Sequence, residues 1–277
     1  MIIQSAWRKK LFSSAWKARM TVLSYKKGDK NKPENFRPIT LQPTLSKVFT
    51  SIIRNRLFTY VVNNNYIETH IQKGFWNDIS GCVEHTEILS HVINNARLKQ
   101  KSVTITLIDL QNAFGEVNHE LLHQILKLHH VPPEVITLIK SLYTNYHISI
   151  LTDDFQTSPI HVKRGVLQGD SLSPLLFNLI INSLIHTIKN EKVSCLGYVY
   201  QGCLTPKHWF QFADDTAIVT SSESDNQLLC NVFLKWSTWA DLIIKIGKCE
   251  TFGIKKVRSK SMQFLPYITI RKEHISS

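Results

Sequence analysis

The chain has 277 residues, 43% apolar and 19% charged, so it can bury one sizeable hydrophobic core or two small ones. We therefore expect a globular protein. No run reaches the ~18 apolar residues that span a bilayer, which predicts no transmembrane helix and no membrane partner. The five cysteines are odd in number and form no C-x₂-C pair, so they indicate neither a disulfide framework nor a zinc knuckle. We expect an intracellular protein of the cytoplasm or nucleus.

The net charge of +12 is unevenly distributed. Residues 1–60 carry +11 and residues 255–277 carry +5, which leaves −4 for the middle of the chain. Basic ends around an acidic centre suit a polyanion held on both sides of a metal site, and the alternative is a solvated basic face. Residues 1–20 contain no acid and superficially suit a mitochondrial transit peptide, but we favour a structural start to the fold.

In chain order, the pattern of apolar residues predicts strands interspersed with helices. Three prolines predict an irregular connection over residues 31–45. Period and length then predict the following elements: helices over 45–62, after Gly81, over 119–130 and around 135–143; a strand over 103–108; a hairpin around Asp153-Asp154; helices over 174–188 and 223–240; and strands near 242–246 and 251–254. Because the order is not strict βαβ alternation, we expect an α+β fold with an antiparallel sheet and helices on one face.

Three acids stand out against these apolar runs. Asp214 and Asp215 interrupt the strand-like run 209–219, and Asp109 ends the alternating run 103–108. Burying an unpaired carboxylate is costly, so the pattern predicts a tight hairpin with its acids at the tip, beside a strand that ends at Asp109. Such oxygen ligands bind hard cations, and two Mg²⁺ ions about 4 Å apart serve phosphoryl transfer in polymerases. The alternative is an ordinary turn.

Six segments connect these acids to a known family. They are YKKGD (25–29), NFRPI (35–39), QKGF (72–75), DLQNAF (109–114), RGVLQGDSLSPL (164–175) and FADD (212–215). In order and spacing they resemble the fingers and palm of a reverse transcriptase, most like the enzymes of non-LTR (LINE-type) retrotransposons, from about residue 22 to residue 252. The resemblance implies an RNA-directed DNA polymerase that adds dNTPs to a primer 3′-OH on an RNA template.

The resemblance also implies roles for single residues. Asp109 and Asp214 match the principal metal carboxylates, Asp215 completes the acidic cluster, and the Leu110 carbonyl is a further ligand of two Mg²⁺ ions, with Mn²⁺ as the alternative metal. Lys248 matches a lysine suited to protonating the leaving pyrophosphate. The residues matched to substrate contacts are Phe114, as an aromatic gate against the ribose 2′-hydroxyl, Gln168 and Gly169, as a turn against nucleotide and template, and Arg37 with Lys26 or Lys27.

The expected architecture is that of a right-hand polymerase without a thumb. We expect fingers over residues 1–100, a palm over 101–254, with an antiparallel sheet backed by helices, and a basic tail over 255–277. On this basis we expect the chain to be a fragment of a retrotransposon polyprotein. Its expected partners are an RNA template, a DNA primer and dNTPs. The alternatives are a catalytically silent nucleic-acid-binding remnant, and a related polymerase such as an RNA-templated RNA polymerase or a group II intron maturase.

Overall fold

The computed structural model describes residues 2–10, 12–76, 80–191, 193, 195–200, 202 and 205–275. The chain divides into two compact units. The first comprises Met1–Ile67 and Phe114–Ile180, and the second comprises Glu68–Ala113 and Ile181–Ser277. The division into fingers, palm and tail stays a prediction. In the described part of the chain, no helix is long and apolar enough to cross a membrane.

The first unit combines helices with a four-stranded sheet. Its elements are α1 (Ile2–Lys9), α2 (Ser14–Lys17), β1 (Ala18–Tyr25), β2 (Phe36–Leu41), α3 (Thr44–Asn63), α5 (His119–Leu128), α6 (Pro133–Tyr143), β4 (His147–Leu151), β5 (Ile160–His161) and the start of α7 (Ser173–Asn190). The strand order is β2-β1-β4-β5, in which β1 runs parallel to β4 and the other pairs are antiparallel. The helices predicted over 45–62, 119–130, 135–143 and 174–188 are confirmed, and so is the hairpin around Asp153-Asp154.

The predicted irregular connection over residues 31–45 is wrong for residues 36–41, which form β2. Pro38 pairs with Leu23 of β1 although it has no N–H to donate. Proline is tolerated here because β2 lies at the edge of the sheet, where one side of the strand makes no ladder. The sequence pattern also gave no sign of β1. The second half of this strand is mostly exposed, so it lacks a strong alternation of apolar and polar residues.

The second unit is built around a five-stranded antiparallel sheet. Its elements are α4 (Gly81–Lys99), β3 (Val103–Ile108), β6 (Trp209–Phe212), β7 (Asp215–Thr220), α8 (Glu223–Trp239), β8 (Glu250–Val257), β9 (Lys260–Phe264), β10 (Thr269–Ile270), β11 (Glu273–His274) and the end of α7. The strand order β6-β7-β3-β8-β9 places β3 at the centre. The predicted antiparallel sheet backed by helices is therefore confirmed, as are the helices after Gly81 and near 223–240.

Helices cover both faces of this sheet, so the expectation of helices on one face is wrong. On one face, Val92 and Ala96 of α4 pack in a buried cluster with Val103 and Ile105 of β3. On the other face, Asn226 of α8 accepts a 2.6 Å hydrogen bond from the Thr106 hydroxyl. Successive residues of a strand point to opposite faces, which is why β3 is buried at nearly every position and not only at alternate ones.

The strand predicted near 242–246 is also wrong. Only Ile244 forms a bridge, opposite Leu110, and the chain then turns through a short 3₁₀ helix over Ile246–Lys248 before β8 begins. Asp241, just before this segment, has a left-handed backbone conformation, so α8 does not continue into residues 242–246. With a turn on either side, only a few residues remain to run alongside residues 109–111. The predicted strand near 251–254 is confirmed within β8.

Candidate active site

The three acids lie at one end of the sheet of the second unit. β6 and β7 form a hairpin in which Phe212 pairs with Asp215, so Ala213 and Asp214 make the turn. The register of β3 with β7 pairs Ile108 with Thr216. Continued by one residue, this register brings Asp109 opposite Asp215 on the same face of the sheet. Pairing of β3 with β7 therefore brings together carboxylates that are more than 100 residues apart in sequence.

The carboxylates affect one another electrostatically. Partial desolvation of Asp215, and then the negative charge of Asp109, raise the pKa of Asp215, while Lys248 acts in the opposite direction. The Lys248 ammonium lies 3.7 Å from Asp109 Oδ2. More than half of the Lys248 side chain is exposed, whereas 28% of the Asp109 side chain is. The tip of the hairpin thus concentrates negative charge at an accessible surface, with the Lys248 ammonium beside it.

The backbone after Asp109 also presents an oxygen. The Lys245 N–H donates to the Asp109 carbonyl at 2.9 Å, and the Gln111 N–H donates to the Ile243 carbonyl at 2.8 Å. This pairing uses the backbone groups of alternate residues, so the carbonyl of Leu110 between them points away from residues 243–245. The Leu110 carbonyl is thereby directed away from the segment that pairs with it, as a metal ligand would need to be.

We tested whether these residues fit a divalent cation. Carboxylate and carbonyl oxygens are the donors that Mg²⁺ prefers, and the mutual repulsion of Asp109 and Asp215 is relieved by a bound cation. Within the described ranges, no group of three or more His, Cys, Asp or Glu side chains forms a ready-made metal site. Mg²⁺ commonly takes only one or two carboxylates and completes its shell with water and substrate phosphates, so the donor set fits.

A buried glutamine, Gln72 of the QKGF segment, to which the sequence analysis assigned no role, holds the hairpin turn. The side chain of Gln72 accepts from the Ala213 N–H at 2.8 Å and from the Gly74 N–H at 2.9 Å, and donates to the Ala213 carbonyl at 3.1 Å. Gln72 is fully buried. Ala213 needs such support because its backbone is left-handed, at φ +54°, a conformation that an L-residue with a side chain rarely adopts. We call these three bonds the Gln72 clamp.

A second buried glutamine supports the same turn from within β6. Gln211 Nε2 donates to the carbonyls of Ala213 at 2.8 Å and Asp215 at 3.2 Å, and Gln211 Oε1 accepts from Thr216 and from the Trp209 indole. The signal for Gln211 was present in the sequence, since a glutamine inside the run Trp209–Phe212 is as unusual as the acids after it. Gln72 lies in the QKGF segment, but its role had no local signal, because its partner lies 141 residues away.

The residues matched to substrate contacts lie in the first unit. The Thr40 N–H of β2 donates to the Gln168 carbonyl at 2.7 Å, and Gly169 has φ +116°. A Cβ at Gly169 would lie 2.6 Å from the Thr40 carbonyl oxygen, so only glycine lets this turn sit against β2. Arg37 is exposed on the same strand. The structure thus brings the Gln168–Gly169 turn to the strand that carries Arg37.

Lys26 and Lys27 are exposed in the connection between β1 and β2. This connection is closed by hydrogen bonds from the Lys26 N–H to the Asn35 carbonyl at 2.8 Å and from the Tyr25 hydroxyl to the Gly28 carbonyl at 2.6 Å. The loop therefore presents its lysines from a defined backbone. Their role in binding substrate stays a prediction.

Phe114 is partly exposed and stacks on Phe177 of α7, with ring centroids 4.6 Å apart and an interplanar angle of 22°. Stacking fixes the ring and leaves part of it accessible. Such a ring is compatible with the aromatic gate that the resemblance implies, and the gate stays a prediction. The roles of the other matched residues are likewise untested.

Comparison with known proteins agrees with this geometry. The sequence model of the family described as "Reverse transcriptase (RNA-dependent DNA polymerase)" matches residues 25–269, most of the chain. A Pol polyprotein from the retrotransposable element R2DM of Drosophila melanogaster is 26% identical over 224 residues, which cover 81% of this chain and 20% of the relative. The RNA-directed DNA polymerase from the mobile element jockey of the same fly is 27% identical, covering 86% and 25%.

Solved structures support the fold independently. Telomerase from Candida tropicalis, truncated from its C-terminal domain, superposes with a TM-score of 0.60 over 95% of this chain and 59% of that one, at 12% identity. Telomerase of the same yeast with a fragment of telomeric RNA gives a TM-score of 0.58, over 91% and 44%. At this identity the likeness concerns the fold alone. The expected fingers-and-palm fold is confirmed.

The chain spans about a fifth to a quarter of the length of the R2DM and jockey relatives. The matched residues nevertheless include every segment on which the resemblance rested, from the loop after β1 to the hairpin of β6 and β7. The predicted likeness to enzymes of non-LTR retrotransposons is confirmed by the R2 and jockey relatives. The chain belongs to the reverse transcriptase (RNA-dependent DNA polymerase) family.

Proposed function

We propose that this chain catalyses RNA-directed DNA synthesis, adding dNTPs to a primer 3′-OH on an RNA template. The observation that carries the proposal is the pairing of β3 with the hairpin, which sets Asp109 opposite Asp215 and next to Asp214 in a member of this family. Phosphoryl transfer requires neutralisation of charge and positioning more than covalent chemistry, and an accessible acidic cluster beside a lysine suits that need.

Asp109, Asp214 and Asp215, with the Leu110 carbonyl, would hold the divalent ions. When bound, two Mg²⁺ ions supply Lewis-acid stabilisation of the attacking and leaving oxygens. The repulsion between Asp109 and Asp215 supports this assignment, since a cation binds most favourably where carboxylates are forced together.

Lys248 acts as the proton donor to the leaving pyrophosphate in this proposal. Its ammonium lies 3.7 Å from Asp109 and its side chain is more than half exposed, so it can reach the reacting phosphates without leaving the site. Arg37 and the lysines at 26 and 27 contribute exposed positive charge in the first unit, which suits contacts with the triphosphate or the template.

The test is primer extension on poly(rA)/oligo(dT) with dTTP and Mg²⁺. We expect extension by the chain as it stands and its loss in Asp109→Asn and Asp214→Asn. A matched control is Asp154→Asn, because Asp153 and Asp154 form a second acidic pair in an exposed turn. Equal loss in the control would remove the special role of the hairpin acids. Duplex binding without extension by any variant would favour a silent nucleic-acid-binding remnant.

A further inference from the structure

A second charged surface lies in the second unit, apart from the carboxylates. The C-terminus of α4 and the hairpin of β8 and β9 meet there, joined by hydrogen bonds from Gln100 Nε2 to the Ser259 carbonyl and from the Ser261 hydroxyl to the Arg97 carbonyl, each 2.8 Å. With Lys101, the two elements present seven exposed cations, of which Lys255 and Lys260 belong to the α8 face of the sheet and not to the α4 face. The other five form the basic surface beside α4, which comprises Arg97, Lys99, Lys101, Lys256 and Arg258.

The positive charge of the basic surface is not neutralised locally. Segments 88–108 and 251–272 contain no Asp or Glu. Among the described residues, none of the five cations forms an ion pair with a carboxylate. Lys101 donates to the Val199 carbonyl at 3.3 Å, a contact that leaves its charge in place. The helix dipole stabilises cations near the C-terminus of α4, but it does not explain the cations of the β8–β9 hairpin.

The sheet register separates this surface from the candidate active site. Ile254 of β8 pairs with Val103 at the start of β3, and the basic hairpin continues beyond that end. Asp109 follows the opposite end of β3. Six residues at about 3.4 Å each place the basic surface roughly 20 Å or more from the carboxylates, so it cannot contact the reacting phosphates.

We propose that the basic surface binds the phosphodiester backbone of a nucleic acid duplex, independently of its sequence, at a distance from the primer terminus. Five cations without carboxylate partners suit a regular polyanion, since each phosphate contact releases condensed counterions. The surface is predominantly charged, with Leu98 as its most exposed apolar residue, which argues against an apolar protein interface. The identity of the polyanion rests on the function proposed above, whereas the location and charge of the surface do not.

The experiment compares two triple variants that remove equal charge. Lys99→Gln/Lys256→Gln/Arg258→Gln alters the basic surface, and Lys127→Gln/Lys140→Gln/Lys163→Gln removes three exposed lysines of the first unit. Affinity for labelled 30-base-pair RNA, DNA and RNA–DNA duplexes is measured from 0.05 to 0.3 M salt. We expect the slope of log K against log salt to become shallower by about 0.9 per lost contact, and affinity at 0.15 M to fall roughly 10- to 100-fold, in the first variant only.

A crosslinker placed at Leu98, which is 82% exposed, gives a second measurement that needs no charge change. We expect it to crosslink to the duplex, and the three probes show which nucleic acid is held. Unchanged slopes in the first variant, or crosslinking to polyglutamate in preference to duplex, would overturn the proposal. Extension on poly(rA)/oligo(dT) distinguishes the two failures: extension with unchanged slopes rejects the surface alone, and reduced slopes without extension reject only the polymerase function.

Discussion

The Gln72 clamp stabilises the turn of the hairpin that carries the acids. Replacing Gln72 with Ala removes the acceptor of the Ala213 and Gly74 N–H groups, which lie 2.8 and 2.9 Å from Gln72 Oε1 in a buried position. The Ala213 carbonyl keeps its bond from Gln211. A buried donor left without a partner costs about 1–3 kcal/mol, so two such donors predict a loss of about 2–6 kcal/mol in the free energy of unfolding.

Urea unfolding followed by tryptophan fluorescence measures this loss. Gln72→Met is the informative companion variant, because it fills the space of the side chain and still lacks an acceptor, so it should lose nearly as much stability. Gln124→Ala, at an exposed position of α5, should stay within about 0.5 kcal/mol of the parent chain. A Met variant as stable as the parent would show that packing, and not hydrogen bonding, is the contribution of Gln72.

The clamp should also matter to catalysis, because it holds the residue immediately before Asp214. A displacement of about 1 Å at reacting groups commonly costs about 10²-fold in rate. We therefore expect a similar fall in kcat for primer extension by Gln72→Met, measured at saturating primer–template and at a temperature where the variant is folded. If the variant is destabilised but extends primers at the parental rate, the clamp stabilises the fold without positioning the acids.

Three further changes are predicted. Gly74→Ala should destabilise the second unit by about 3 kcal/mol in urea unfolding, because its Cβ would lie 2.4 Å from the Ala213 nitrogen, whereas Gly247→Ala, whose Cβ meets open space, should be nearly neutral. Phe114→Ala should raise the incorporation of ribonucleotides relative to dNTPs, and an unchanged ratio would reject the gate. Burial lowers the pKa of His85 below the usual 6.5, so the unfolded state gains a proton first as the pH drops. The free energy of unfolding should therefore fall as the pH drops through 6.5. His85→Gln should flatten this part of the pH–stability curve, and His91→Gln, at an exposed position, should not.

The elements that sequence could predict are those with local causes. The hairpin of β6 and β7 follows from apolar runs interrupted by acids, and the start of α8 follows from Ser222, whose hydroxyl accepts from the Asp225 N–H at 3.1 Å. The family resemblance located the acids for the same reason, since each lies within a short contiguous motif.

The elements that sequence could not predict depend on distant partners. β2 forms despite Pro38 because β1 supplies the strand beside it. Residues near 244 do not form a strand, because the turns around them leave only a single bridge to Leu110. The contribution of Gln72 depends on a turn 141 residues away. None of these partners is visible in local periodicity, which reports only how a segment is buried and not what it is buried against.

The central place of β3 has a consequence for how the second unit folds. Its two neighbours in the sheet are residues 215–220 and 250–257, so both pairings join segments more than 100 residues apart. During synthesis, the backbone N–H and C=O groups along both edges of β3 therefore stay unpaired until residues 215–220 and 250–257 have been made, and unpaired strand edges promote aggregation. A nascent chain released before residue 215 leaves both edges of β3 unpaired and lacks Asp215, so we expect it to aggregate more readily than the 277-residue chain and to lack a complete set of carboxylates.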